Sequence, residues 1–540
     1  MEGRLTTQWA DRALRPVLAC CLVICTLLFF LWSWKWPLVG DASLIHYICF
    51  LMDHGMAPYR DLGDMNMPGV YIIEWAVMHT LGGGELAWRL FDFALMGFAA
   101  AAIFVITFPD WFAGLFAASL FILVHGRDGL GQAGQRDLTM SICLLIGTAF
   151  LFTGVRQNRR WPFVLFGLFS GLAATIKPTI LPLGAALLIL AVVTLRRRAQ
   201  PTASCVLVAS SAFLIGPLIA LGFLIEKDAL GAYIKGLSGI VPYYASLGHK
   251  APGFLLSHSI SPLMSIVVIW LVLIGIRRPK LSWERVALLC GIAFGLLSYV
   301  VQARGYPYYR YPLLAFLLPL IAIDFTAALR VHSGRIDRCS SALAAIGLIT
   351  GSLVIAPTSI VLIHRYARHA DFITSLEQTL SELGGSKLSG NIQCIDSISG
   401  CGTTLYKMRI VQSTGVLSDF LLFGPETKAV IRSTRQHFFH EITSNPPKVI
   451  VVSGWLHIDG PGNYQKLERW PEFADFLARD YTLKNEWTPT RPNHWWSREQ
   501  WPDGYRVYVL RSEVSSTDRS RDLRELHAGC TMCSNSTKFF

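Results

Sequence analysis

Four short stretches of the chain gather side chains able to move protons or hold anions. The first runs from Gly40-Asp41 through Asp53-His54-Gly55 and Pro58-Tyr59-Arg60-Asp61 to Asp64, Asn66, Met67, Pro68 and Gly69. The second is Arg127-Asp128, then Gln132 and Gln135-Arg136-Asp137. Lys177-Pro178 is the third, and Arg304-Gly305-Tyr306-Pro307-Tyr308-Tyr309-Arg310-Tyr311-Pro312 the fourth. A carboxylate can take a proton from a nucleophile. Arginines grip phosphate or carboxylate oxygens with paired hydrogen bonds, and fixed positive groups stabilise a leaving group that gains charge. Simpler roles stand beside these. Asp41 and Asp137 suit helix N-termini, the Arg/Tyr run suits an interfacial belt, and Lys177 can snorkel. His46, His54 and His79 are spaced too loosely for a metal, so the sequence indicates no metal site and no certain cofactor.

What must position these residues is a set of membrane spans. The 540 residues are 52% hydrophobic and only 16% charged, against about 25% charged in soluble domains. For the chain as a whole, that excludes a soluble globular protein, a disordered tail and a coiled coil. The net charge of +12 has to be placed relative to a bilayer before it implies nucleic acid, and no nucleic-acid partner is expected. Runs of about 20 apolar residues cross a membrane. Candidate runs are 16–36, 88–108, 111–125, 138–155, 161–176, 178–195, 203–225, 262–276, 285–301, 311–329 and 341–363. The expected fold is thus a polytopic α-helical membrane protein of about eleven helices.

Loop charges set the orientation. Clusters at Arg156/Arg159/Arg160, Arg196/Arg197/Arg198, Arg277/Arg278/Lys280 and Arg330/Arg335/Arg338 fall where alternation from a cytoplasmic N-terminus requires them. All four chemistry-bearing stretches then lie on the outer face, which is what makes them more than four separate membrane edges. Residues 69–81 are apolar but too short to span, and read as an interfacial helix that folds the first outer loop onto the bilayer.

Three regions are expected: a transmembrane catalytic domain over 1–364, an extracytoplasmic α/β domain over 365–511, and a disordered tail over 512–540. In the second, strand-like runs at 391–396, 448–453 and 505–510 alternate with amphipathic stretches at 372–383 and 471–479. Cys394 and Cys401 would pair in an oxidising compartment, while Cys530–Cys533 is a lone C-x-x-C.

The motifs resemble the GT-C superfamily. The carriers are Gly40-Asp41 just outside the first span, Gly55 through Asp61, and Pro68-Gly69-Val70-Tyr71 before an aromatic helix. Asp137 matches a second acidic residue, and Gln302, Gly305, Tyr308, Tyr309 and Pro312 match a Gln-x-x-Gly-x-x-Tyr-Tyr-x-x-Pro pattern. The likeness is to the bacterial branch related to protein O-mannosyltransferases, the lipid A aminoarabinose transferase and rhizobial galacturonosyltransferases. Met67-Pro68-Gly69 departs from the double proline common there and leaves the acceptor class open. The resemblance implies an enzyme of the bacterial inner membrane. Such an enzyme moves a sugar, with inversion, from a polyprenyl-phosphate donor to a hydroxyl on a glycan, lipid or protein acceptor. It implies Asp41 as base, with Asp137 orienting an arginine or binding acceptor. Arg60, Arg136, Arg304, Arg310 and Lys177 become donor-phosphate ligands. Asp61, Tyr306, Tyr308 and Tyr309 become substrate contacts. The main rivals are a lipid or polysaccharide transporter or flippase, an O-antigen polymerase or ligase, and a sensor. Carriers usually keep ionisable groups at the bilayer midplane within repeated, broken helices, whereas these spans read as nearly free of such groups and show no repeat.

Overall fold

Every apolar run named above forms a helix in the computed structural model, which describes residues 2–330, 335–366, 371–454, 456, 464–488 and 504–512. The physical reason is local. Hydrocarbon offers no hydrogen-bond partner, so a segment crossing it must satisfy its own backbone. Among the described residues eight helices are long and apolar enough to cross a membrane, and the pair Pro252–Ser259 and Met264–Arg277, bent by 84°, makes a ninth if taken as one span. Two further apolar helices, Trp111–Arg127 and Trp161–Ile176, have 17 and 16 residues. The chain is a multi-pass membrane protein with a small mixed sheet, as its composition leads one to expect.

The chain divides into two compact units. The first comprises Met1–Cys49, Asn66–Gly231 and Ala245–His369. Its helices are α1 (Glu2–Ser33), α2 (Gly40–Asp53, whose last turns leave the unit), α3 (Pro68–Leu81), α4 (Gly84–Thr107), α5 (Trp111–Arg127), α6 (Arg136–Gln157), α7 (Trp161–Ile176), α8 (Leu181–Arg197) and α9 (Ala203–Glu226). After α10 (Leu230–Ala245), most of which (232–244) belongs to the second unit, come α11 (Pro252–Ser259), α12 (Met264–Arg277), α13 (Trp283–Gln302), α14 (Tyr311–Leu329), α15 (Arg335–Ile349) and α16 (Ala356–Tyr366). Burial sorts them. In α14 and α6, 89% and 83% of the apolar stretch is inside the protein, against 28% in α1, α8, α9 and α13. A helix apolar all round belongs in the centre of such a bundle, and the two central helices begin at Arg136 and Tyr311, next to the chemistry-bearing stretches.

The second unit comprises Phe50–Met65, Ala232–Tyr244 and Ala370–Phe540. Its four-stranded sheet has the order β1 (Ile392–Ile395), β2 (Val449–Ser453), β4 (Tyr505–Leu510), β3 (Tyr481–Trp487). The β1/β2 pair is parallel, with Ile392 opposite Val449, and β4 runs antiparallel to both neighbours. Helices Asp371–Glu382, Ala429–Ser444 and Pro471–Asp480 flank it. Strands β1, β2 and β4 and the first and last of these helices coincide with the sequence-predicted runs. Strand β3 was not expected: as an edge strand it exposes most of its side chains, so no apolar alternation marks it. Cys394 and Cys401 form a disulfide. The loop Phe50–Met65 is stitched into this unit, where Gly63 N–H donates to the Gly415 carbonyl at 3.1 Å and the Arg409 guanidinium lies 5.6 Å from the Phe50 ring. The tail from 513 onward, with Cys530–Cys533, lies outside the described residues.

Candidate functional site

The site builds outward from the start of α6. Arg136 and Asp137 occupy its first turn, where a carboxylate meets the positive end of the helix. Asp137 is 1% exposed. A carboxylate so buried needs a cation, and Lys177 supplies it: Nζ donates to Asp137 Oδ1 at 2.6 Å. The same ammonium donates to Gln302 Oε1 at 2.6 Å and sits 4.5 Å from the Tyr309 ring centroid. Lys177 thus ties the ends of α6, α7 and α13 to the turn before α14. Burial pushes its pKa down, Arg136 and Arg304 push the same way, and Asp137 opposes them.

Arg136 bridges two carboxylates without closing on either. Its Nη1 is 3.9 Å from Asp41 Oδ2 and its Nε 3.9 Å from Asp137 Oδ2. Asp137 Oδ2 has no hydrogen-bond partner among the described residues. Asp41 stands in the first turn of α2, with its side chain 18% exposed. Gly40 before it holds φ +65, a left-handed turn that favours glycine. Tyr308 and Tyr309 are buried with ring centroids 4.6 Å apart, and Tyr306 stands 5.4 Å from Tyr308. Arg136 and Lys177 thus stand beside Asp41 and Asp137, with Arg304 near enough to act on Lys177. Guanidinium and ammonium groups beside tyrosine faces are suited to an anion with an apolar or sugar attachment.

Other expected site residues are engaged differently. Arg310 is 2% exposed and ion-paired with Asp128, and it also donates to the carbonyls of His258 (3.1 Å) and Ser261. Arg60 and Asp61 belong to the second unit and pair with each other at 2.8 Å. Arginine hydrogen bonds, together with the Ala57 N–H at 2.7 Å, hold the Asp61 carboxyl below its ordinary range against modest desolvation.

The spans are not nearly free of ionisable groups, contrary to the sequence reading. Asp92 on α4 accepts from Arg89 (3.1 Å) and lies 3.3 Å from His125 Nε2 on α5, and His125 Nδ1 meets the Tyr311 hydroxyl of α14 at 2.6 Å. Asp92 also accepts the Gly134 N–H at 2.9 Å, while Trp88 Nε1 donates to the Ala133 carbonyl at 3.1 Å. All these side chains are fully buried, and mutual pairing is what makes that tolerable. The network fixes the 129–135 turn leading into Arg136. A second such pair is Arg285 and Asp324, at 2.8 Å. The available signal was the Arg89/Asp92 spacing of three within an apolar run, which places both on one helix face.

No family model matches the sequence, and no curated protein matches it. Solved structures do. ArnT from Cupriavidus metallidurans in the apo state aligns with a TM-score of 0.54 at 13% identity, covering 91% of this chain and 97% of that one. The same protein bound to undecaprenyl phosphate gives a TM-score of 0.55 at 13% identity over 90% and 97%. The likeness is one of fold: the chain shares the architecture of that protein over nine-tenths or more of both chains.

Proposed function

We propose that this protein is a membrane glycosyltransferase that moves a sugar from a polyprenyl phosphate to an acceptor hydroxyl on the extracytoplasmic face. The observation that carries the reading is the cluster of Arg136 and Lys177 around two carboxylates, with Arg304 and the tyrosines near, at the end of the most buried apolar helices. A structural neighbour that binds undecaprenyl phosphate supports the lipid class.

In this reading Arg136, Lys177 and Arg304 hold the donor phosphate. Asp137 keeps Lys177 in place, and Arg310, committed to Asp128, positions the tyrosine turn. Asp41 is the base, because Asp137 is already bound to Lys177 at 2.6 Å whereas Asp41 has its nearest cation at 3.9 Å and remains partly exposed. Asp41 takes the acceptor hydroxyl proton as that oxygen bonds to the anomeric carbon from the side opposite the phosphate. The bond between that carbon and the phosphate oxygen breaks, its electron pair stays on the oxygen, and the guanidiniums meet the added charge. The configuration inverts. Tyr308 and Tyr309 offer faces to the sugar.

The test is mass spectrometry of polyprenyl-phosphate lipids in cells lacking the protein, complemented with wild type or Asp41→Asn. A glycosylated polyprenyl phosphate should accumulate in the deletion and with Asp41→Asn, and clear with wild type. Equal lipid pools in all strains would refute the reading and favour a transporter.

A further inference from the structure

Helix α3 buries one face, made of Val70, Tyr71, Glu74 and Met78. The spacing of three and four is that of an ordinary apolar stripe, yet its centre is a carboxyl. Glu74 is 3% exposed, and its Oε2 finds no hydrogen-bond partner among the described residues. Burying such a group unpaired is costly, and among the described residues no cation forms an ion pair with it. Desolvation alone pushes its pKa up to about 8, so at neutral pH it is a carboxylic acid with one proton to donate.

The carboxyl lines a narrow crevice. Ile45, Ile73 and Phe91 form apolar walls, Thr139 adds a hydroxyl, and Arg136 lines the same space. Arg136 is the residue that bridges Asp41 and Asp137, so the crevice adjoins the candidate active site. Its free interior admits a group about the size of one water, such as a single substituent of a sugar ring. The charge balance selects among substituents. A guanidinium in the wall repels an ammonium, and a neutral carboxylic acid both donates to and accepts from a hydroxyl.

We propose that Glu74 is a specificity-determining residue, whose carboxyl receives one hydroxyl of the donor sugar in the crevice it shares with Arg136. The inference rests on the glycosyltransferase reading. A pocket that hydrogen-bonds a hydroxyl rejects the analogue lacking it, because its own buried polar group is then left unpaired.

The experiment measures binding to the full-length protein in nanodiscs, using bare undecaprenyl phosphate and undecaprenyl phosphate carrying glucose, mannose or arabinose. Wild type should prefer at least one glycosylated lipid to the bare one. For that sugar, one monodeoxy derivative should bind wild type about tenfold more weakly. Glu74→Leu should lose this discrimination while keeping its affinity for bare undecaprenyl phosphate, and Glu74→Gln should stay within about threefold of wild type. Because the deoxy series is read on wild type, the inference stays testable if Glu74→Leu does not fold. It is overturned if no monodeoxy donor binds wild type more weakly, if Glu74→Leu weakens bare and glycosylated lipids alike, or if an amino-substituted donor binds better than its hydroxyl parent. If wild type prefers none of the three sugars to the bare lipid, the donor reading itself fails, which is a distinct result.

Discussion

Replacing Lys177 with methionine separates a structural role from a functional one. The ammonium donates to Asp137 Oδ1 and Gln302 Oε1, both at 2.6 Å, and Asp137 is 1% exposed. Lys177→Met therefore leaves a buried carboxylate whose nearest remaining cation is Arg136, 3.9 Å away. Removing one partner of a buried pair costs about 3–5 kcal/mol, and the residual attraction of Arg136 places this variant near about 3. Adding Asp137→Asn removes the stranded charge, so the double variant should recover most of that stability. Function should not follow. If Lys177 holds the donor phosphate, both variants lose a hydrogen bond to a charged group worth about 1.5–3 kcal/mol, a roughly 10- to 100-fold loss of affinity for undecaprenyl phosphate. Thermal unfolding followed by tryptophan fluorescence, with lipid binding measured on the same nanodisc samples, reads both quantities. A double variant that regains stability and binds undecaprenyl phosphate like wild type would show that Lys177 only neutralises Asp137, and the donor-phosphate assignment would fall.

Three further outcomes are expected. Gly134 holds φ +63, and a Cβ there would lie 2.7 Å from Trp88 Nε1; Gly134→Ala should cost about 2 kcal/mol and reduce transfer by displacing Arg136, and unchanged activity would argue against the turn's positioning role. Glu74 carries a raised pKa in the folded state, from 4.5 to about 8, so its stabilising protonation is complete below pH 4.5 and lost as pH rises through 8. Up to about 5 kcal/mol is at stake, from 3.5 pH units at about 1.36 kcal/mol each. Thermal unfolding of Glu74→Gln should thus gain on wild type steadily between pH 5 and 8, and parallel curves would contradict the buried neutral acid. The disulfide between Cys394 and Cys401 closes a loop with a sequence separation of 7; Cys394→Ser should cost about 2 kcal/mol in thermal unfolding of the full chain, and an unchanged midpoint would show that the loop is already fixed without it.

The sequence by itself determined where the chain is helical within the membrane, because an apolar run of membrane length must close its own backbone hydrogen bonds whatever surrounds it. It also determined three of the four strands, whose burial imprints on residue type, and the alternation of loop charge led one to expect Asp41, Arg136, Asp137, Lys177, Tyr308 and Tyr309 on one face. Which charges stay available was decided only by tertiary structure. Arg136 and Arg310 look equivalent as residues, yet Arg310 is claimed by Asp128, 182 positions away, whereas Arg136 stands 3.9 Å from two carboxylates. Lys177 meets Gln302 across 125 positions, and the edge strand β3 carries no apolar signature. The same holds for Asp92, His125 and Tyr311, which meet from three helices, and for Glu74, left unpaired where the packing of α3 hides it. Ion pairing falls off within a few ångströms, so it is fixed by how distant helices pack, a quantity that no local run of residues contains.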